Sequence, residues 1–515
     1  MPAPIRRRPP VIGAVAFRAP MNAPLSHRTL WLAALCAAAA CTPPHRVAGH
    51  DATAPSPGAP WAGNPRAGTP FDSNAARLAR RGATIPEGVA SHMTSLALPD
   101  VIDLALGNNP ATRISWAQSR AAAAAYASVR GRWLPSLQAD VTGGPSRAIS
   151  ANPARLPADR STVTTSLSLQ YLLFDFGGRS GATHAAGEAL FASDLTHNST
   201  VQGVVLQAEN AYFGYQAARG LREASLQTVR TAQTNLAAAE RRHDVGLATI
   251  ADVLQARTAL AQSQLASQSA EGSVQAARAQ LALALGVPAN ARFDVVPDTG
   301  ATPIAAVAEN VDSLIARAVI GRPDVMAARA TARQGQQQVR VSQSALLPSF
   351  TMGANRGQAT SNNINLEGGT YVLTFGVSIP LFNGFARESD VAAARENAAA
   401  AAARADQAGL NVAAQVWTSY WALQTATQRV STAGELLASA TRSEEVARGR
   451  YAEGVGSILD LLTAQSALAD ARAQSIQSRW TWFSALAQLA RDAGVLGTHG
   501  ESNLTLTPAS PGSNR

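Results

Sequence analysis

The sequence predicts a mainly α-helical protein with a small β part, laid out as a duplicated unit of long helical hairpins plus two strands. Three observations lead there. Motifs recur at constant separations, which marks an internal repeat. Two stretches, of 130 residues between Pro157 and Pro288 and of 127 between Pro380 and Pro508, contain no proline and are dominated by Ala, Leu, Gln, Arg and Glu. Alanine loses no side-chain entropy in a helix, so such stretches are strongly helix-forming. Finally, four short segments alternate apolar and polar residues with period two, the pattern of half-buried strands.

The chain opens on a leader. His27 and Arg28 precede an apolar run from Leu30 to Ala40, and Thr42-Pro43-Pro44 follows Cys41. The run is too short to span a bilayer and suits the core of a signal peptide over residues 1–40, with Met21 as a second possible start. Ala38-Ala39-Ala40 before Cys41 fits an ordinary small-residue cleavage site, and a cysteine at the cut also fits lipoprotein processing, although the usual leucine is missing. No later segment is apolar enough for a membrane-spanning helix. Residues 41–90 are rich in Pro, Gly and Ala and read as an extended linker; the tail 496–515 reads the same way.

Between them lies the repeat. Asn109-Pro110 and Leu134-Pro135-Ser136 recur as Arg322-Pro323 and Leu347-Pro348-Ser349, 213 residues later. Leu173-Phe174 and Gly246 with Thr249…Asp252 recur as Leu381-Phe382 and Gly454 with Ser457…Asp460, 208 residues later. The single five-residue change of offset places one shorter loop in the second copy. The copies are bounded as 91–300 and 301–495.

In each copy a helix opens at the proline and ends before the Leu-Pro-Ser/Leu-Pro-Ser pair, and two strands follow. Residues 162–173 and 370–381 alternate with one apolar face; their partners carry Leu137, Ala139, Val141 and Phe350, Met352, Ala354. Loops are expected at 143–160 and 355–369. The strands fit either a soluble sandwich edge or an outer-membrane barrel. Helices of about 60 residues come next, each about 90 Å long. They bend at Gly246 and Gly454, where Thr249…Asp252 and Ser457…Asp460 resemble helix-capping boxes.

Four strands cannot close a membrane barrel, and open sheet edges are not tolerated in lipid. The strand edges therefore require oligomerisation. With Asn109-Pro110, Leu134-Pro135-Ser136, Leu173-Phe174-Asp175-Phe176-Gly177-Gly178-Arg179, Val245-Gly246-Leu247, and Tyr451 with Gly454 and Ser457-Ile458-Leu459-Asp460 in this order, the chain resembles the TolC family of outer-membrane efflux proteins, in the branch with an N-terminal cysteine. The resemblance covers about residues 91–495. It implies a homotrimer whose 12 strands form one β-barrel on a periplasmic α-helical barrel, docked on a periplasmic adaptor (membrane fusion) protein that leads to an inner-membrane pump. It implies export of small molecules such as drugs, with the outer channel of a type I protein-secretion system as the alternative, and lipidation of Cys41 to anchor the chain in outer-membrane lipid. It also assigns Val245, Gly246, Leu247 and Gly454 to adaptor-docking tips; these glycines can equally be turn residues only. It places Asp460 at a periplasmic gate facing its symmetry mates, with Tyr451 holding the second hairpin against Asp252 of the first. Gly456 stands where an arginine often braces the closed state, and Thr463 where a second aspartate often sits. Asp252 and Asp460 can also act only as helix caps.

Other functions find little support. The net charge of +9 falls to +4 once the five leader arginines are set aside, which argues against nucleic acid. The chain contains no lysine, so Gly177-Gly178-Arg179 lacks the residues of a phosphate loop and reads as a strand-to-helix turn. The 8 histidines and 2 cysteines form no metal-ligand spacing, no catalytic constellation stands out, and no cofactor or enzymatic activity is expected. A poreless coiled-coil protein would not need the alternating strands. Trp417, Tyr420, Trp421, Trp480 and Trp482 are expected to pack between helices.

Overall fold

The computed structural model describes residues 53–54, 56–61, 93, 95–147, 159–297, 305–307, 309–361, 368–496 and 506–508. The leader and Cys41 lie outside them. The first copy comprises α1 (Leu98–Asn108), α2 (Pro110–Gly131), β1 (Ser136–Arg147), β2 (Asp159–Phe174), α3 (Gly178–Asp244) and α4 (Ile250–Leu285). After a short strand β3 (Ala305–Val307), the second copy repeats the order as α5 (Val311–Gly321), α6 (Pro323–Ser344), β4 (Ser349–Ser361), β5 (Gly368–Ser378), α7 (Ala386–Ala452) and α8 (Ile458–Asp492), and β6 (Leu506–Pro508) closes the described chain. Equivalent helices match in length: α3 and α7 each have 67 residues, which at 1.5 Å per residue is about 100 Å.

The shorter helices meet end to end beside the long ones. Asn109 caps α2 through its side chain and also donates to the carbonyl of Ala284 at the end of α4, 3.3 Å away. Gly286, at φ +69°, turns the chain there; a Cβ on it would sit 2.7 Å from the Asn108 carbonyl oxygen, so only glycine fits. Arg322 ties the equivalent joint in the second copy, without capping α6 through its side chain. It donates to the Asp492 carbonyl at 3.2 Å and pairs with Asp324 at 2.6 Å, at 2 % exposure. The recurring Asn109-Pro110 and Arg322-Pro323 motifs are thus the joints of two stacked helix pairs.

Strands β1-β2-β4-β5 form one antiparallel sheet in that order, so the two copies meet at β2 and β4. The helices follow the same order, with α3 packed on α2, α4, α6 and α8, and α7 packed on α6 and α8. A mixed apolar core lies at mid-height, where Val101, Ile102, Val205, Leu281, Leu314, Val416, Trp482 and Leu489 are buried together.

Toward the hairpin loops the strands run further than expected, whereas β5 ends at Ser378, short of the expected Leu381, where Pro380 has no N–H for a ladder. Residues 143–147, 159–160, 355–361 and 368–369 were expected in loops and belong to the ladders. Gly143, Gly144 and Pro145 signal a turn, but β1 is an edge strand, where a missing proline N–H is tolerated. The remaining connections are 148–158 and 362–367, five residues shorter in the second copy, where the change of offset put the difference. Two segments read as linkers carry structure: β6 of the tail pairs with β3, and residues 53–54 and 56–61 lie against α2 and α3.

Candidate functional site

The sheet is the first functional element. Its register puts Leu137, Ala139 and Val141, then Leu169, Leu167 and Val163, then Phe350, Met352 and Ala354, then Tyr371, Leu373, Phe375 and Val377 on one face. Nothing among the described residues covers that face: Tyr371 is 87 % exposed and Phe375 68 %. An apolar face of this extent is not a water-facing surface. Among the described residues, no strand pairs with the outer edges of β1 and β5. Among the described residues no helix is long and apolar enough to cross a membrane, and no cluster of His, Cys, Asp and Glu could hold a metal.

The second strand of each copy, β2 and β5, passes into a long helix through a strained turn. In the first copy Phe176 and Gly177 take φ of 51° and 99°; in the second Gly384 and Phe385 take 70° and 65°. A Cβ on Gly178 would lie 2.5 Å from the Ser344 hydroxyl, which explains that glycine. Arg179 is committed to the turn: its backbone N–H donates to Asp175 at 2.6 Å, its side chain donates to the Leu173 carbonyl, and its guanidinium stacks on Trp133. This is a strand-to-helix corner braced by its own arginine.

At the far end are the hairpin tips. Gly246 and Gly454 both take φ +77°, and a Cβ on Gly246 would meet nothing within 4 Å. Val245, Leu247 and Val455 are apolar and exposed beside them. Thr249 and Asp252 form a reciprocal capping box, with Asp252 accepting the Thr249 N–H at 2.8 Å. Ser457 and Asp460 form its counterpart, with the Asp460 N–H donating to the Ser457 hydroxyl at 3.0 Å. Both aspartates therefore cap helices, and Asp460 remains exposed.

Tyr451 sits between the hairpins, but its hydroxyl makes no hydrogen bond. The expected bond from this hydroxyl to Asp252 is absent. The Asp252 carboxylate is engaged by Thr249, and the ring is packed against the buried cluster of Ala239, Val253, Ala256 and Ile458. Burial raises the tyrosine pKa, Arg242 lowers it and the nearby Asp252 raises it. The polar tie comes instead from Arg242. Its guanidinium stacks over the Tyr451 ring at 4.9 Å and donates to the Tyr451 carbonyl at 2.7 Å. A second rung lies above it, where Asn235 donates to Gln465, which donates to the buried Glu444. Neither rung was readable in the sequence, because Arg242 belongs to an unremarkable charged run and the others are isolated polar residues.

A third cluster clasps the segment carrying Ala54, Ala59 and Trp61. Asn198 on α3 pairs with both backbone groups of Trp61, Trp116 on α2 donates to the Ala54 carbonyl at 2.8 Å, and His197 lies 2.9 Å from the Ala59 carbonyl oxygen. His197 also meets the Ser115 hydroxyl at 2.8 Å, and Ser119 donates to Asp194. Burial depresses the His197 pKa and raises that of Asp194 to about 7.

An apolar-faced sheet with two open edges, carried on helices about 100 Å long, defines a chain that builds part of a membrane barrel and its extension into water. Comparison with known proteins agrees. The family model for outer membrane efflux protein matches residues 101–287 and 314–495, one segment per copy, and the chain belongs to that family. Protein CyaE of Bordetella pertussis is 30% identical over 390 residues, spanning 75% of this chain and 81% of CyaE. The probable efflux pump outer membrane protein TtgC of Pseudomonas putida is 24% identical over 404 residues, spanning 77% and 83%. The crystal structure of the outer membrane protein VceC from Vibrio cholerae superposes with a TM-score of 0.68 at 20% identity, covering 77% of this chain and 96% of VceC.

Proposed function

We propose that three copies of this chain close a 12-stranded outer-membrane barrel on a helical tunnel and form a passive conduit that exports small molecules from the periplasm. The observation that carries this reading is the sheet: four strands, an uncovered apolar face and two unpaired edges. Lipid offers no partner for free backbone N–H and C=O groups, so the edges must meet other strands. Relatives named as efflux pump outer membrane proteins support the substrate class.

In this reading the tips around Val245, Gly246, Leu247 and Gly454 receive a periplasmic adaptor protein, which connects the conduit to an inner-membrane pump. Their bared apolar side chains and open space above Gly246 suit the approach of a partner helix. Asp460, Tyr451 and Asp252 belong to a gate at the same end, with three Asp460 carboxylates forming a ring that favours cations. Cys41 carries lipid that anchors each chain beside the barrel.

The test is efflux and conductance together. Cells lacking the chain should accumulate small toxic compounds, and purified protein should conduct in planar bilayers. Loss of one large secreted protein, with drug tolerance unchanged, would redirect the reading to protein secretion. Mass spectrometry of the mature N-terminus tests the anchor: an unmodified Cys41 refutes lipidation and leaves the conduit intact.

A further inference from the structure

The exposed aromatic side chains fall in two places. Trp417 and Trp421, expected between helices, lie half exposed on α7, edge to face at 5.9 Å, while Trp480 and Trp482 are buried as expected. The others stand on the sheet or at its joints with the helices. The register stacks the outer face of the sheet in rows. Phe350 and Val377 form the row beside the helices, and Ala139, Leu167, Arg356 and Tyr371 form the fourth row away from them. The first three rows carry no charge. Thr165 and Gln358 are paired in the fifth. Arg356 was expected in a loop, and the ladder instead sets it, exposed, on the same face as the apolar rows.

Its height on the wall explains how a cation is tolerated there. Leu381, at the foot of β5, is 91 % exposed. From Leu381 to Tyr371 is at most about 34 Å of extended chain, or about 26 Å of height at a strand tilt of about 40°. The apolar band of an outer-membrane barrel is about 25 Å tall, with aromatic residues at both rims. The rim beside the helices is filled: the rings of Phe174, Phe176 and Phe350 lie within 6.5 Å of one another, and Phe382 meets Phe385 at 5.5 Å. Arg356 and Tyr371 therefore occupy the opposite rim, on the side away from the helices. A charge on the lipid face is costly at mid-depth and nearly free at an interface. Among the described residues no carboxylate stands on this face in the rows from Phe350 to Thr360, so no acidic residue of these rows neutralises the guanidinium.

We propose that Arg356 and Tyr371 bind the phosphate of a phosphorylated saccharide lipid in the outer leaflet of the membrane, one site per protomer. The inference rests on the conduit reading, which supplies the membrane and its orientation: the helices run into the periplasm, so the far rim meets the outer leaflet. Arg356 is flanked in the ladder by Leu167 and Tyr371, with Cβ atoms about 5 Å apart across each pair. Its aliphatic stem can lie along the wall while the guanidinium reaches the headgroup level. A planar guanidinium presents two parallel N–H donors to a phosphate, and the tyrosine hydroxyl supplies another donor at the same height. Thr165 and Gln358, one row further out, offer an uncharged hydroxyl and amide, which suit sugar hydroxyls. The charge therefore selects the phosphate, and the polar pair above it favours a saccharide over a simple phospholipid headgroup.

Lipid retention in native mass spectrometry tests it. Full-length protein in mild detergent is titrated with the diphosphorylated acyl disaccharide lipid A, with its dephosphorylated form and with phosphatidylglycerol. Wild type should retain lipid A about tenfold more tightly than the dephosphorylated form, a difference of 1.4 kcal/mol. Arg356→Gln should retain the two forms equally, with normal assembly and conductance because the side chain is exposed. Arg356→Lys should recover part of the preference, since an ammonium binds phosphate as a point charge. Excess inorganic phosphate should displace none of the lipid. Equal retention of both forms by wild type, or an undiminished preference in Arg356→Gln, overturns the site. Phosphatidylglycerol held as tightly as lipid A overturns the saccharide assignment, and displacement by inorganic phosphate overturns the lipid one. Each of these leaves the conduit standing, whereas a wild-type chain absent from the outer membrane overturns the reading beneath it.

Discussion

Removing the Arg242 side chain should loosen the periplasmic end of the conduit. Arg242 makes a charge-assisted hydrogen bond of 2.7 Å to the Tyr451 carbonyl and a stacking contact at 4.9 Å, joining helices from the two copies. A hydrogen bond to a charged group contributes about 1.5–3 kcal/mol. A partly exposed cation over an aromatic ring adds about 0.5–1 kcal/mol. Because the site is half-buried, the smaller ends apply, and about 2 kcal/mol per protomer is a fair total. At 1.4 kcal/mol per factor of ten, that moves a closed-to-open equilibrium about 25-fold in each protomer. The assay is planar-bilayer recording of Arg242→Gln, which keeps length and polarity but removes the charge. Higher open probability or conductance is expected, with normal trimer yield. Tyr451→Phe should do much less, because its hydroxyl has no hydrogen-bond partner to lose. Wild-type conductance in Arg242→Gln, or a large opening in Tyr451→Phe alone, would refute the assignment of the clasp to Arg242.

Three more outcomes follow from other parts of the molecule. Gly246→Trp should abolish efflux while trimers still assemble, since φ is +77° there and the space above the glycine is open; efflux assays beside native gels decide it. Arg322→Ala should lower stability by about 3 kcal/mol, because the buried Asp492 loses a partner at the α6–α8 joint, although Arg491 still reaches that carboxylate; thermal unfolding reads it. Asp194 is held protonated to about pH 7, whereas in the unfolded chain it ionises near 3.8. Its contribution is therefore most favourable below pH 3.8 and is lost as pH rises toward about 7. The stability gain of Asp194→Asn over wild type should be near zero at pH 4 and grow to a plateau above pH 7. A gain independent of pH would mean that burial of the charge is not the cause.

The fold was readable where a physical rule leaves a mark at a fixed spacing. Asn109-Pro110 and Arg322-Pro323 announce helix starts, Thr249…Asp252 and Ser457…Asp460 announce caps, and the strands alternate. Each is local, so each survives as a pattern in one dimension. The site was less readable because it depends on contacts across the repeat. Arg242 and Tyr451 are 209 residues apart, and nothing in either neighbourhood points to the other. The tyrosine was expected to serve through its hydroxyl, and its ring and carbonyl are what the structure uses. Residues 53–54 and 56–61 read as a linker because Pro, Gly and Ala carry no periodicity; their order comes from side chains of α2 and α3 that reach their backbone. Gly58 alone is a retrospective clue: a Cβ there would lie 2.8 Å from the Leu106 carbonyl oxygen.

The most direct test is the number of chains in the conducting particle. Protein extracted in mild detergent can be weighed by native mass spectrometry, and the same preparation recorded in planar bilayers. Closing a barrel from four-stranded sheets in threes predicts a particle of three chains that conducts as a single pore. A monodisperse monomer that conducts, or a trimer in which each chain conducts separately, would contradict it, because either one needs four strands to close on themselves.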